Sequence, residues 1–523
     1  MRRTPASSTT ARPPRRRVSF ARVLLVAFVA VAVGWSGTRA VSAIVARPTA
    51  PGPSVFAAYV DATVTPSYPF ETPAGPAQST VILSFVVAAP DDVCTPTWGG
   101  YYTLDEASSA LELDRRISQL RLTGGQARVS FGGARGTELA SACTDPQALR
   151  EAYQSVIDRY ELTHIDLDLE GASLDDHAAA TRRAEAIKGL QDDAEAAGRD
   201  LAVWLTLPVG PTGLTDTGRS VVDGMLAAGV DVAGVNGMTM DFGVVTTEAA
   251  PLSDVVVRAA TALHRQVSRA YADAGHPLGE SQAWAKVGIT PMIGQSDVPT
   301  ERFTLADAAV VNEFAREHGV GLVSIWSLNR DATCGPPLPS VLTVVQTMCS
   351  GVDQAGQRFA NVLAADLGPV FDAPPTRATP SPSPSRTPTT VSPLDVVDDP
   401  ETSPFPIWDP LGTYPGGTKI VWHRQVYQAR FWTSGFAPDT PVTHAMDSPW
   451  SLIGPVLPGD SPAALPTLPA GSYPQWDPDQ AYVAGTRVQL DLVPYEAKWW
   501  TQGQQPGKSV AGGSPWVLVI PGG

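Results

Sequence analysis

Between residues 54 and 350 the chain alternates short apolar runs with stretches of helical spacing. The apolar runs are VFAAYVDA (55–62), STVILSFVV (79–87), ARVSFGG (127–133), HIDLDLEG (164–171), LAVWLTLPV (201–209), VAGVNGMTMDFG (232–243), AKVGITPM (285–292) and GLVSIWSLN (321–329). Each reads as a strand. DPQALREAYQSVIDRYE (145–161) and DHAAATRRAEAIKGLQDDAEAAG (176–198) read as helices between them. Strands alternating with helices imply a parallel sheet. Eight units in about 300 residues predict an α/β fold, a (β/α)8 TIM barrel over 54–352. An open doubly wound sheet is the second reading, but no glycine-rich phosphate loop follows the first strand.

Beyond the barrel the pattern changes. PPTRATPSPSPSRTPTTVSP (374–393) has no apolar face to bury and reads as an extended linker, within a Pro/Ser/Thr-rich span of 353–404. A repeat follows. Residues 408–438 match 476–506 at a constant offset, including Trp408/Trp476, Tyr414/Tyr482, Gly417/Gly485, Tyr427/Tyr495 and Trp432/Trp500. Each copy closes on SPW, at Trp450 and Trp516. Segments this short cannot build a large core. They predict two small all-β modules, 405–454 and 474–520, joined by a Pro-rich linker at 455–473.

The leader, 1–50, looks like an address. An Arg-rich stretch precedes VLLVAFVAVAVGW (23–35), and VSA (41–43) offers small residues for cleavage after Ala43. The apolar run is short for a membrane span, which needs roughly 18 or more residues. The Arg-rich part is long for a signal peptide, so an uncleaved single-pass anchor is the alternative. Either places the rest outside the cytoplasm, secreted or tethered. The cysteines fit that placement: Cys94, Cys143, Cys334 and Cys349 form no Cys-x-x-Cys pair, and two disulfides are expected in an oxidising compartment. Cys94–Cys143 and Cys334–Cys349 is the expected pairing, although spacing alone does not fix it. The net charge of −15 argues against nucleic acid or anionic lipid as the main partner. A neutral polysaccharide would not be repelled.

HIDLDLEG sets Asp166, Asp168 and Glu170 on alternate positions. Side chains at i, i+2 and i+4 of a strand share a face, with neighbours roughly 6–7 Å apart. Three carboxylates this close repel, so a proton tends to be retained. A retained proton near neutral pH is what a general acid needs. Two blander readings compete: acids simply solvated on a half-exposed strand, or calcium ligands. An alternating strand lacks the loop geometry of common calcium sites. The strand is fourth of eight and Glu170 sits at its C-terminal end, where barrel chemistry lies.

Four motifs, on the third, fourth, sixth and eighth strands, resemble those of glycoside hydrolase family 18, in its bacterial chitinase branch. HIDLDLEG is similar to D-x-x-D-x-D-x-E, SFGG (130–133) to S-x-G-G, and MTMD (238–241) to M-x-Y-D. Trp326 in SIWSLNRD stands where the family places a tryptophan under the sugar. Singly these would read as a tight turn or as core packing; their weight comes from the set. The resemblance implies substrate-assisted hydrolysis with retention. Glu170 would protonate the glycosidic oxygen and then activate water. Asp168 would hold the acetamido N–H, and Asp166 would share a proton with Asp168, supported by Ser130. Asp241 would touch the sugar or its acetamido group, above Trp326. No metal and no cofactor is implied. Two positions depart from the pattern. Thr163 replaces the first Asp, which predicts a retuned proton network. Met240 replaces a Tyr and cannot donate a hydrogen bond; Tyr59 is the hydroxyl expected to compensate.

The repeats resemble chitin-binding type-3 modules, carbohydrate-binding module families 5 and 12. The resemblance implies sugar platforms at Phe431, Trp432 and Tyr427 in the first copy and at Trp499, Trp500 and Tyr495 in the second. Adjacent strand residues face opposite ways, so one ring of each pair is expected inside unless a bulge presents both. The combined expectation is a monomeric endo-type chitinase acting on chitin or N-acetylglucosamine oligomers, with a membrane contact only through the leader. An endo-β-N-acetylglucosaminidase and a non-catalytic chitin-binding lectin are the alternatives.

Overall fold

The computed structural model describes residues 54–247, 249–367, 397–462, 464–508 and 514–519. The leader expected at 1–50 and the Pro/Ser/Thr-rich stretch at 374–393 lie outside the described residues.

All eight apolar runs form strands: β1 (Val55–Phe56 and Ala58–Asp61), β2 (Thr80–Ala88), β3 (Gln126–Gly132), β4 (His164–Asp168), β5 (Ala202–Gly210), β6 (Val232–Met238), β7 (Val287–Thr290) and β8 (Leu322–Val323). Each pairs in parallel with the next. The two pieces of β1 close the ring. Val55 and Phe56 pair with Leu322 and Val323, and Ala58–Asp61 pairs with Val81–Ser84. The result is a closed eight-stranded barrel. The main helices between strands are α1 (Leu113–Leu122), α2 (Pro146–Arg159), α3 (His177–Ala196), α4 (Asp216–Ala227), α5 (Leu252–Asp273) and α6 (Leu305–His318).

Local chemistry sets the helix ends. Asp145 accepts from the Ala148 N–H ahead of Pro146, and Thr304 forms a capping box with Asp307. Gly319, at φ +70°, ends α6 in the left-handed conformation that glycine adopts without strain. The strands alternate as a barrel requires. Leu83, Phe131, Leu167, Leu205, Val235 and Ile289 are fully buried in the main core. Burying each such side chain stabilises the fold by about 1.5–3 kcal/mol. The alternate positions Tyr59, Ser130, Asp166, Thr206, Asn236 and Thr290 hydrogen-bond to one another from six different strands, so they point into the lumen.

The disulfides are Cys94–Cys143, joining the segments after β2 and β3, and Cys334–Cys349, closing a loop after β8. The barrel's packing runs past 352. Phe359–Leu363 is a short helix with Phe359 and Leu363 fully buried in the main core. The buried Asp331 carboxylate accepts from the N–H groups of Phe359 and Ala360, which fastens that helix. A linker beginning at 353 is therefore corrected: the chain leaves the barrel after this helix. The first module likewise starts before 405, since Asp398 accepts from the N–H groups of His423 and Arg424.

Both modules are antiparallel. In the first, β9 (Lys419–Trp422), β10 (Gln425–Ala429) and β11 (Trp450–Pro455) form a three-stranded sheet. In the second, β12 (Arg487–Leu490), β13 (Val493–Ala497) and β14 (Trp516–Leu518) do the same. Each has a small core, Tyr414, Ile420, Ala429 and Trp450 in one and Tyr482, Val488, Ala497 and Trp516 in the other. In both, the tyrosine and tryptophan rings meet edge to face with centroids 5.2 Å apart.

Candidate active site

On β4 the apolar Ile165 and Leu167 turn to the main core, which leaves Asp166 and Asp168 facing the lumen, both buried. Asp166 is held on both oxygens. Its Oδ2 accepts from Ser130 Oγ at 2.6 Å and Tyr59 Oη at 2.9 Å, and its Oδ1 accepts from Thr206 Oγ1 at 2.6 Å. Burial pushes this carboxyl up, and the three hydroxyls pull it back. Behind them, Asn236 Nδ2 donates to Thr206 Oγ1 at 3.0 Å, and Thr290 Oγ1 donates to Asn236 Oδ1 at 2.8 Å.

Asp168 is treated differently. Its Oδ1 is buried and has no hydrogen-bond partner among the described residues. Burial first, then the charges of Glu170 and Asp166, push the group well above the usual carboxylate range. Glu170, half-buried just past the end of β4, is also raised, by burial and then by Asp241. Two carboxyls with raised affinity for protons thus stand at the C-terminal mouth of the barrel.

The glycines of SFGG have a steric cause. A Cβ on Gly132, at φ +103°, would meet the Asp168 carbonyl oxygen at 2.1 Å, and one on Gly133 would meet the Phe85 ring at 2.7 Å. Gly133 N–H donates to that Asp168 carbonyl at 3.0 Å. The motif is thus a close fit of β3 against β4. Phe85 stacks on Trp326, with centroids 5.5 Å apart and planes 21° apart, and Trp326 also packs on Tyr59 at 6.0 Å. Trp326 is partly buried and lies over the inner cluster of Ala57, Tyr59, Ile82, Trp204 and Leu322. Asp241 is exposed, at φ +55°, and accepts a hydrogen bond from Ser296 Oγ. Met240 is partly buried beside it.

Three expectations change. Tyr59 is 2% exposed and its hydroxyl serves Asp166 and Thr206, so it lies beneath the site and does not replace the missing tyrosine at 240. No hydrogen bond joins Asp166 to Asp168; hydroxyls take up both oxygens of Asp166. Thr163 is exposed, and its hydroxyl bonds His164 Nδ1 at 3.0 Å, so it has no part in the carboxyl network. Thr206, Asn236, Thr290 and Phe85 were not singled out by sequence. The signal was present in the first three: polar residues at alternate, lumen-facing positions of apolar strands. Arg330 was missed too. It is buried, donates to the carbonyls of Ile293 and Gln295, and is pushed down to about 10 by burial.

In the modules Phe431, Trp432, Trp499 and Trp500 are all exposed, at 53%, 63%, 45% and 62%. Each pair follows the end of its strand, β10 at Ala429 and β13 at Ala497, so strand alternation does not apply and both rings face solvent. Tyr427 and Tyr495 pack on the module cores and are partly buried.

No family model matches the chain. It is 37% identical over 263 residues to a probable bifunctional chitinase/lysozyme of Escherichia coli strain K12, covering 49% of this chain and 28% of that protein. It is 37% identical over 238 residues to endochitinase 11 of Metarhizium anisopliae, covering 44% of each. The chain thus spans less than half the length of these curated relatives. The structure is similar to active domain 2 of the chitinase from Pyrococcus furiosus, with a TM-score of 0.51 and 27% identity over 60% of this chain and 95% of that one. The barrel therefore shares the mixed α/β fold of that chitinase domain.

Proposed function

We propose that the chain is a glycoside hydrolase of family 18, an endo-type chitinase that cuts β-1,4 linkages between N-acetylglucosamine units by substrate-assisted catalysis with retention. The observation that carries the reading is the unpaired Oδ1 of Asp168. A buried acceptor left without a donor is costly, and an acetamido N–H entering from the mouth would satisfy it. That contact would turn the acetamido oxygen toward the anomeric carbon. Glu170, its proton held by burial and by Asp241, would protonate the departing glycosidic oxygen as the acetamido oxygen attacks. The resulting oxazolinium cation would lie against Asp168. Glu170, now ionised, would take a proton from water as the water opens the ring and restores the original anomer. The similarity to two chitinases by name and to a chitinase domain in structure supports the reaction class.

The exposed ring pairs of the modules support binding to insoluble chitin, since flat apolar rings suit the C–H faces of pyranoses. The leader pattern and the two disulfides support a secreted or membrane-tethered enzyme.

The test is hydrolysis of a chromogenic N-acetylchitooligosaccharide by the chain from residue 54 onward, beside its Glu170→Gln variant. Turnover by the parent alone, with the β-anomer as first product by proton NMR, is the expected result. A folded, chitin-binding parent without turnover would leave a lectin.

A further inference from the structure

The first module touches the barrel through charged groups. Glu112, at the N-terminus of α1, accepts from Arg115 Nε at 3.0 Å and from Lys419 Nζ of β9 at 2.6 Å. Arg115 Nη1 donates to the Pro455 carbonyl at 2.6 Å and to Asp460 Oδ2 at 2.9 Å, and Nη2 reaches Asp460 Oδ1 at 3.3 Å. The Arg115 and Glu112 side chains are only 6% and 7% exposed. The backbone is fitted as closely. Gly454, at φ +152°, lies against α1 so tightly that a Cβ would meet the Arg115 carbonyl at 2.6 Å and Gln119 Cβ at 3.0 Å.

The repeat supplies an internal control. In the second module Arg487, the counterpart of Lys419, pairs across the strands with Glu496 at 2.8 Å. In the first module the opposite residue is Gln428, whose side chain donates to the Gly417 carbonyl. Without a carboxylate opposite it, Lys419 reaches out to the barrel. The first copy thus lacks the internal ion pair of the second and has an external one instead.

We infer that the first module is a fixed arm of the barrel, clasped to α1 by Glu112, Arg115, Lys419 and Asp460, and that its Phe431–Trp432 platform is presented at a set attitude rather than on a free tether. This goes beyond the proposed hydrolysis and does not depend on it. Pairing in a buried site keeps the clasp shut, and reversing either cation sets a second carboxylate against the buried Glu112. Such a reversal shifts the docking equilibrium by roughly two to three orders of magnitude.

Small-angle X-ray scattering of the full chain tests it. The native chain should scatter as barrel and first module in one body. Arg115→Glu, and separately Lys419→Glu, should raise the radius of gyration and the maximum dimension. Both variants should keep their hydrolysis of soluble oligomers, which reports an intact barrel, and lose rate on insoluble chitin. Identical scattering from the native chain and both variants would overturn the inference. So would a native curve that already requires a freely moving first module. Among the described residues Lys419 has no ion-pair partner inside its own module, where its Nζ only lies over the Phe405 ring, 5.2 Å from the centroid, so its variant, checked beside Arg115→Glu on α1, separates undocking from misfolding.

Discussion

Asp166 and Asp168 stand two residues apart on the same face of β4, yet hydroxyls satisfy both oxygens of the first and leave an oxygen of the second bare. That difference divides their work. Asp166 is a finished part of the lumen, fixed by Ser130, Tyr59 and Thr206. In the proposed reaction Asp168 keeps an acceptor for the incoming acetamido N–H.

Replacing Asp168 by Asn should therefore trade activity for stability. The group is raised in the folded chain, so the fold holds a proton that the unfolded chain releases near the ordinary carboxylate value of about 3.9. This contribution to stability is complete below that value and is lost as pH rises through the folded one. Asn has no proton to lose. The variant should melt above the native chain at pH 7, with the gap closing toward pH 4, while kcat falls by roughly 10²–10³. Melting curves across pH decide it; a variant that melts lower at pH 7 counts against the buried-charge account.

Gly132→Ala should be more damaging than its size suggests. The new methyl would sit 2.1 Å from the Asp168 carbonyl, on a backbone at φ +103°. Strand β3 must shift away from β4, at a cost of about 1–3 kcal/mol or more. Because β4 carries the carboxyls, kcat should fall further than stability explains. Comparing kcat and melting temperature of this variant with Gly224→Ala, a helical position with open space around it, isolates the effect.

The eight strands were legible because their alternation is physical. One face must meet helices, so Leu83, Phe131 and Leu167 announce themselves. Asp166 and Asp168 were legible for the same reason, as polar residues on a buried face, and Glu170 because it continues their alternation just past the strand. What period alone did not give was partnership. Tyr59 could not be assigned to Asp166 rather than to a substrate without knowing that β1 closes the barrel against β2 and β8. Phe359 and Leu363 were hidden by a helix too short to show a period, next to a low-complexity run. The exposure of both rings in each module pair depended on where the strand ends, at Ala429 and Ala497, and strand ends are the least legible feature of a sequence.

A chain ending at 352 should be markedly less stable than one ending at 367. The shorter form loses Phe359 and Leu363, worth about 1.5–3 kcal/mol each by burial. It also leaves the buried Asp331 without its two backbone donors. Thermal melting of the two forms should differ by about 6 °C or more. Equal melting temperatures would return the boundary to 352.

Trp432→Ala and Trp500→Ala should weaken retention on chitin beads without lowering the melting temperature. Both rings are more than half exposed, so their loss costs little packing. Two linked sites can exceed either alone by roughly 10²–10⁴, so each single change should cost at least about tenfold and the double change should abolish binding. A double variant that still binds would place the platform elsewhere on the modules.

Glu170 and Asp241 should share one limb of the pH profile. In the proposed reaction Glu170 enters protonated, and its carboxyl is raised by burial and by the charge of Asp241. The rate should therefore fall as pH rises through that raised value. Asp241→Asn removes the charge and leaves the burial, so the Glu170 proton is held less firmly. The alkaline limb of kcat/KM on a soluble oligomer should move to lower pH in the variant. A uniform drop in rate with the limb unmoved would mean that Asp241 acts on the sugar alone, through the oxygen that Ser296 leaves free.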